Sequence, residues 1–209
     1  MKQAEESVSR SRRGVRAPRA ALRVVAALVP ALMAAGAQAD EAAAWAALRQ
    51  GGAVALMRHA QAPGPPGDPA GFRLDDCRTQ RNLSAQGRAQ AQAMGTRLRA
   101  ERIVFSRVVS SPWCRCVETA RLLDLGPVRV QATFGNAYVL ADQRQSLTAG
   151  ARQFVSAWKE PSNLLVVTHG ANIQALLGAG PMSGETVVVS ARPDGSLHEH
   201  GRIAAPVPP

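Results

Sequence analysis

Ala53-Val54-Ala55-Leu56-Met57-Arg58-His59-Ala60 decides how this chain is read, because an apolar run ends abruptly in a guanidinium and an imidazole. A second run, Leu164-Leu165-Val166-Val167-Thr168-His169-Gly170, has the same construction. Runs of this length are the mark of buried strands. An α/β sheet presents its chemistry just beyond the carboxyl ends of such strands. Between them, Ser110-Ser111-Pro112-Trp113-Cys114-Arg115-Cys116-Val117-Glu118-Thr119-Ala120 carries another arginine where a strand gives way to a helix. His59 and Arg115 stand 56 positions apart, and Arg115 and His169 stand 54 apart. Each interval has room for about two strand-helix units. The order Arg-His, Arg, His reads as a phosphate-handling site.

Outward from these segments, the elements alternate. Asp40 to Gln50 reads as a short alanine-rich helix, stopped by Gly51-Gly52 before a strand from Ala53 to Met57. Residues 61 to 82, rich in Pro, Gly and Asp, cannot form a helix or central strand and suit an ordered loop over the site. Ser84 caps a helix to about Arg99, with Ala91, Met94 and Leu98 at helical spacing on one face. Val108 to Ser110 is a buried strand, and Pro112 opens a helix through Leu123 that holds Arg115 in its first turn. A strand at Val128 to Ala132, a helix at Arg144 to Trp158, a strand at Leu164 to Thr168 and a helix at Ala171 to Leu177 follow. Thr186 to Ser190 is a strand, and Pro193-Asp194-Gly195 turns into a last one. This alternation predicts a three-layer α/β/α sandwich with a mostly parallel central sheet.

Over roughly residues 52 to 190 the chain resembles the histidine phosphatase superfamily, also called phosphoglycerate-mutase-like, in the form of a small exported bacterial member. The nucleophile motif is matched by Arg58-His59-Ala60, and the Ser-rich strand end and helix by Ser110, Ser111, Arg115, Glu118, Thr119 and Ala120. The third motif is matched by Thr168-His169-Gly170, and a weaker helix-start motif by Leu83-Ser84 through Gly87, Gln90 and Ala91. The resemblance implies that His59 is the nucleophile, forming a phosphohistidine that water then hydrolyses. Arg58, Arg115 and His169 are implied as both catalytic and substrate-binding groups, and Arg81 stands where small members have an arginine that could contact substrate. Guanidinium forks hold phosphate bidentately and keep their charge at any working pH. Neighbouring cations keep His59 neutral, and a backbone carbonyl or carboxylate at its other nitrogen should fix the tautomer. No metal and no cofactor is called for, since the cations stabilise the charge.

Many family members carry a glutamate between the second arginine and the second histidine as general acid, whereas Gln131 to Asp142 holds none. Glu185 is the first candidate, on the expectation that the strand it precedes runs beside the one ending at His169, and Asp142 is the second. Without an acid, the enzyme would be limited to good leaving groups such as phosphoramidates.

At 209 residues the chain is long enough for one domain with a proper core. Its first segment has a different character. Seven cations precede an apolar run from Val24 to Ala35, followed by Ala37-Gln38-Ala39, which is the order of a secretory signal. The expected division is a cleavable signal peptide over 1–39, a catalytic domain over 40–203 and a mobile tail over 204–209. The apolar run is too short for a permanent membrane span, for which about 20 residues are needed. The mature domain is thus expected in the periplasm or secreted, by the general or the twin-arginine route. The formal charge of +10 includes a net of +5 from the leader. The remaining basic residues are scattered, which argues against nucleic acid as partner and for small phosphorylated substrates or phosphorylated envelope glycans. Oxidising conditions would favour one disulfide, pairing Cys77 with Cys114 or Cys116. His198 and His200 read as solvated. The predicted activity is metal-independent hydrolysis of a phosphate monoester or phosphoramidate. The alternative is a non-catalytic phosphate- or phosphoglycan-binding envelope protein of the same fold.

Overall fold

The computed structural model describes residues 40–207, so the expected leader over 1–39 and the last two residues lie outside it. Its centre is a six-stranded sheet in the order β3-β2-β4-β1-β5-β6. The strands are β1 (Val54–Arg58), β2 (Phe105–Ser110), β3 (Val128–Val130), β4 (Asn163–Thr168), β5 (Thr186–Ala191) and β6 (Leu197–Ile203). β1, β2, β3 and β4 run parallel, while β5 runs antiparallel to both β1 and β6. The helices are α1 over residues 40–50, α2 (Ala85–Ala100), α3 (Cys114–Leu122), α4 (Arg144–Ser156) and α5 (Gly170–Leu177).

Strand side chains alternate between faces, and the central strands are apolar on both. Ala55, Met57, Leu165, Val167 and Val188 pack with Trp45 and Leu48 of α1, Met94 and Leu98 of α2 and Cys116 and Ala120 of α3. Their neighbours Val54, Leu56, Leu164, Val166, Val187 and Val189 pack with Ala151 and Val155 of α4 and Ile173 and Leu176 of α5. The two separate cores on one sheet are the layers of an α/β/α sandwich, as the alternation predicts.

Strand placement departs from expectation in one respect that matters for the site. β5 lies beside β1 and not beside β4, because β1 occupies the place between them. Running antiparallel, β5 begins where β1 ends, so Glu185 O accepts from Arg58 N at 3.1 Å. At the front of the sheet, the loop from Gln61 to Asn82 returns to α2 through Ser84, which accepts from Gly87 N at 2.9 Å. Gly87 sits so close to the loop that a Cβ there would stand 2.0 Å from Gln61 O. A disulfide joins Cys77 to Cys114, and Cys116 remains free and buried. Among the described residues, no helix is long and apolar enough to cross a membrane.

Candidate active site

The carboxyl ends of β1, β2 and β4 meet in register, with Arg58 opposite Thr168 and Ser110 opposite Val167. Each chemical group of the sequence motifs therefore leaves the sheet at one edge. His59 N donates to Thr168 O at 2.9 Å, and Gly184 N is shared between the carbonyls of Arg58 and His59, each at 3.2 Å. Its neighbour Ala60 donates to Thr119 Oγ1 at 3.1 Å, while that hydroxyl donates to Arg115 O at 2.6 Å. The first and second motifs are thus hydrogen-bonded to one another, and the backbone of His59 is fixed on both sides.

The ring of His59 has a defined chemistry. Nδ1 lies 2.8 Å from Ala60 O, and a carbonyl can only accept, so Nδ1 carries the proton and Nε2 keeps its lone pair. Burial, with Arg115, Arg58 and Arg81 nearby, outweighs the Ala60 contact and holds the His59 pKa down to about 3. His169 is likewise neutral, its pKa pushed well below the ordinary value by burial, then by His59 and the arginines. Its Nε2 is 2.8 Å from Ser111 Oγ, and its ring lies 5.5 Å from that of His59 and 5.3 Å from that of Trp113. Ser111, at the end of β2, orients the second histidine.

A pocket of about 520 Å³ opens over these rings. Arg58, His59, Arg81 and His169 line it together with Asn136, Tyr138, Gln174, Pro181 and Met182. Among the described residues that line it, none carries a carboxylate. Arg58 Nη1 donates to Pro181 O at 2.9 Å, and Arg58 Nε is buried without a partner among the described residues. Burial lowers the pKa of Arg58 against the opposing pull of Glu185, and burial also lowers that of Arg81. The pocket thus sets a neutral imidazole nitrogen among fixed cationic donors.

The family profile described as Histidine phosphatase superfamily (branch 1) matches residues 54–136, which hold the first two motifs. The fold carries the third, at the end of β4. Over residues 54–136 the chain is similar to the histidine phosphatase superfamily. Solved histidine phosphatases share its fold at low identity. The protein histidine phosphatase SixA complexed with tungstate is 18% identical, with a TM-score of 0.51 over 73% of this chain and 96% of that one. A mycobacterial glucosyl-3-phosphoglycerate phosphatase is 21% identical, with a TM-score of 0.51 over 70% and 96%. A putative alpha-ribazole-5'-P phosphatase from Escherichia coli is 18% identical, with a TM-score of 0.52 over 70% and 93%. No curated protein matches the chain by sequence.

Within this histidine phosphatase fold, three residues depart from their expected places. Arg115, expected at the substrate, does not line the pocket. Its fork closes on Asp68 of the loop, Nη1 to Oδ1 at 2.6 Å and Nη2 to Oδ2 at 3.1 Å, with both side chains 0% exposed. Glu185, the first candidate for general acid, is also absent from the pocket lining. Its carboxylate accepts from Met182 N at 2.6 Å and faces Arg202 at 3.8 Å, so it braces the turn before β5. Asp142 is exposed at the start of α4, in a separate surface groove with Arg144 and Arg152. Arg81, by contrast, lies in the pocket. Residue reading missed Asp68, since an aspartate in a Gly- and Pro-rich loop looks like ordinary turn chemistry. Asn136 and Tyr138 reach the pocket because Asn172 in α5 clamps their turn, accepting from Ala137 N at 3.1 Å and donating to Gly135 O at 2.7 Å. Of the two histidines read as solvated, His198 is exposed, and His200 is half-buried against Ser190.

Proposed function

We propose that this chain is a metal-independent phosphatase that hydrolyses a phosphate monoester or phosphoramidate through a phosphohistidine on His59. The observation that carries the reading is the tautomer of His59: Nδ1–H engaged by Ala60 O leaves a lone pair on Nε2 inside a cationic pocket. In the first step Nε2 attacks phosphorus in line, the N–P bond forms and the bond to the leaving oxygen or nitrogen breaks. Arg58, Arg81 and His169 hold the phosphoryl oxygens, and Arg115 contributes its field. In the second step, water attacks the same phosphorus, the N–P bond breaks, His59 is regenerated and phosphate leaves.

With no carboxylate among the described residues that line the pocket, and both of its histidines neutral, the leaving group takes its proton from water, which favours phosphoramidates, acyl phosphates and activated esters over alkyl phosphates. A phosphorylated protein side chain or a phosphorylated envelope sugar fits this reading. The leader-like sequence over 1–39 and the Cys77–Cys114 bridge support an exported, periplasmic or secreted protein.

The test is release of phosphate from p-nitrophenyl phosphate with chelator present, by the chain from Asp40 onward and by its His59→Ala variant. Chelator-resistant turnover that falls by several orders of magnitude in the variant is expected. A folded wild-type chain that binds phosphate and never turns over, with His59→Ala binding equally well, would establish the non-catalytic binding protein instead.

A further inference from the structure

The buried pair of Asp68 and Arg115 grips the backbone of one residue from both sides. Asp68 Oδ1 accepts from Arg81 N at 3.0 Å, and Arg115 Nη1 donates to Arg81 O at 3.2 Å. The carboxylate is otherwise filled by Arg115 itself and by Trp113 Nε1, which donates to Oδ2 at 2.9 Å. Past this grip, the Arg81 side chain is held again, donating from Nε to Gly67 O at 3.0 Å and from Nη1 to Ala62 O at 2.5 Å. Gly67 is next to Asp68 in sequence, so fixing the aspartate also fixes one of those carbonyls. The result is a cation from an irregular loop delivered into the pocket with its backbone and its guanidinium both tied.

We infer that Asp68 is a positioning residue, whose contact with buried Arg115 sets Arg81 as a phosphate-binding cation of the pocket. This rests on the reading of the pocket as a phosphate site. Asp68 is no proton donor. Burial favours its neutral form, but hydrogen bonds and charge from Arg115, with help from Arg81 N and Trp113, outweigh burial and keep its pKa below the usual carboxylate range. Its oxygens are also all engaged away from the pocket. Arg115, enclosed at 0% exposure, is the counter-charge of the clamp.

A double-mutant cycle separates this role from its rivals, since a residue that acts through another loses its effect once the other is gone. Inorganic phosphate is titrated calorimetrically into wild type, Asp68→Asn, Arg81→Gln and the double variant, each from Asp40 onward with the disulfide intact. Asp68→Asn is expected to weaken phosphate binding by about tenfold in the wild-type background, and by less than about twofold when Arg81 is already glutamine. Equal losses in both backgrounds would overturn the inference in favour of a general structural role. Tighter binding by Asp68→Asn would overturn it too, by making the carboxylate a competitor for Arg115. If Asp68→Asn does not fold, Trp113→Phe removes one contact to the carboxylate and is read in the same cycle, with a smaller loss expected only where Arg81 is present. A wild-type chain that binds no phosphate would overturn the phosphate reading itself, and the clamp with it.

Discussion

Gly170 opens α5 directly against Arg58, and a Cβ there would stand 3.3 Å from both Cδ and Nε of that side chain. Its φ is not positive and it is the first residue of α5, so alanine would fit the main chain at no cost to the helix. The side chain it meets is the pocket's own arginine. Gly170→Ala is therefore expected to leave the melting temperature unchanged or raised, while KM for an aryl phosphate rises about tenfold, measured by steady-state kinetics beside a thermal melt. A fall in stability without a change in KM would refute the assignment of Gly170 as the wall behind Arg58. The same scale shows how unevenly the sequence exposes its chemistry. His59 and His169 end apolar runs, and nothing but a strand end explains such a position. Asp68 carries no such mark, and neither does the burial of Arg115, which depends on a carboxylate 47 residues away meeting it in space.

The loop from Gln61 to Asn82 is the element on which the site depends, and it has almost no regular structure of its own. A single 3-10 turn, Cys77–Thr79, is capped by Asp76. Side chains replace the missing ladder: Gln80 Oε1 accepts from Cys114 N at 3.0 Å, and Asn82 Nδ2 donates to Cys77 O at 2.6 Å. The Cys77–Cys114 bridge pins this network to the start of α3 across a separation of 37 residues. Removing it with Cys77→Ser and Cys114→Ser together should lower stability by about 3–4 kcal/mol through the freed unfolded chain. Because the pinned end is the one that holds Arg81, kcat/KM for the aryl phosphate should fall as well. Denaturant melts and kinetics of the double variant check both, and unchanged kinetics would mean that the hydrogen bonds alone order the loop. Sequence could narrow the bridge only to Cys77 with one of two partners. The choice fell to Cys114 because Cys116 turns into the core beneath His169, at 3.6 Å from Nε2.

At the scale of the whole molecule, the cost of enclosing two neutral histidines appears as a pH dependence of stability. His59 and His169 both have folded-state pKa values depressed below the ordinary value, chiefly by burial. The unfolded chain then binds more protons than the folded one, so stability rises with pH through this range. Their contribution is complete above the unfolded pKa of about 6.5 and is lost as pH falls from there toward the folded values. Asp68, also depressed, adds to the loss only below about pH 4. Urea melts between pH 8 and pH 4 should therefore show falling stability, with a shallower slope in His59→Gln. A flat profile would mean that the rings are protonated in the folded state.

By itself, the sequence determined the layers and the strand ends. Apolar runs such as Leu164 to Val167 are buried on both faces in any fold that satisfies their backbone, and polar groups at their ends must then gather at one edge of a parallel sheet. Only the tertiary structure decided which polar groups share the pocket and which are consumed in building it. Glu185 was assigned by the order of strands, which local patterning does not encode: pairing β5 with β1 brings its backbone to Arg58 while its carboxylate turns to Met182 N and Arg202. Arg115 was assigned by a loop, whose path is set by contacts of its Asp68 and Cys77 with Arg115, Trp113 and Cys114, far away in sequence, and not by any period in its own residues.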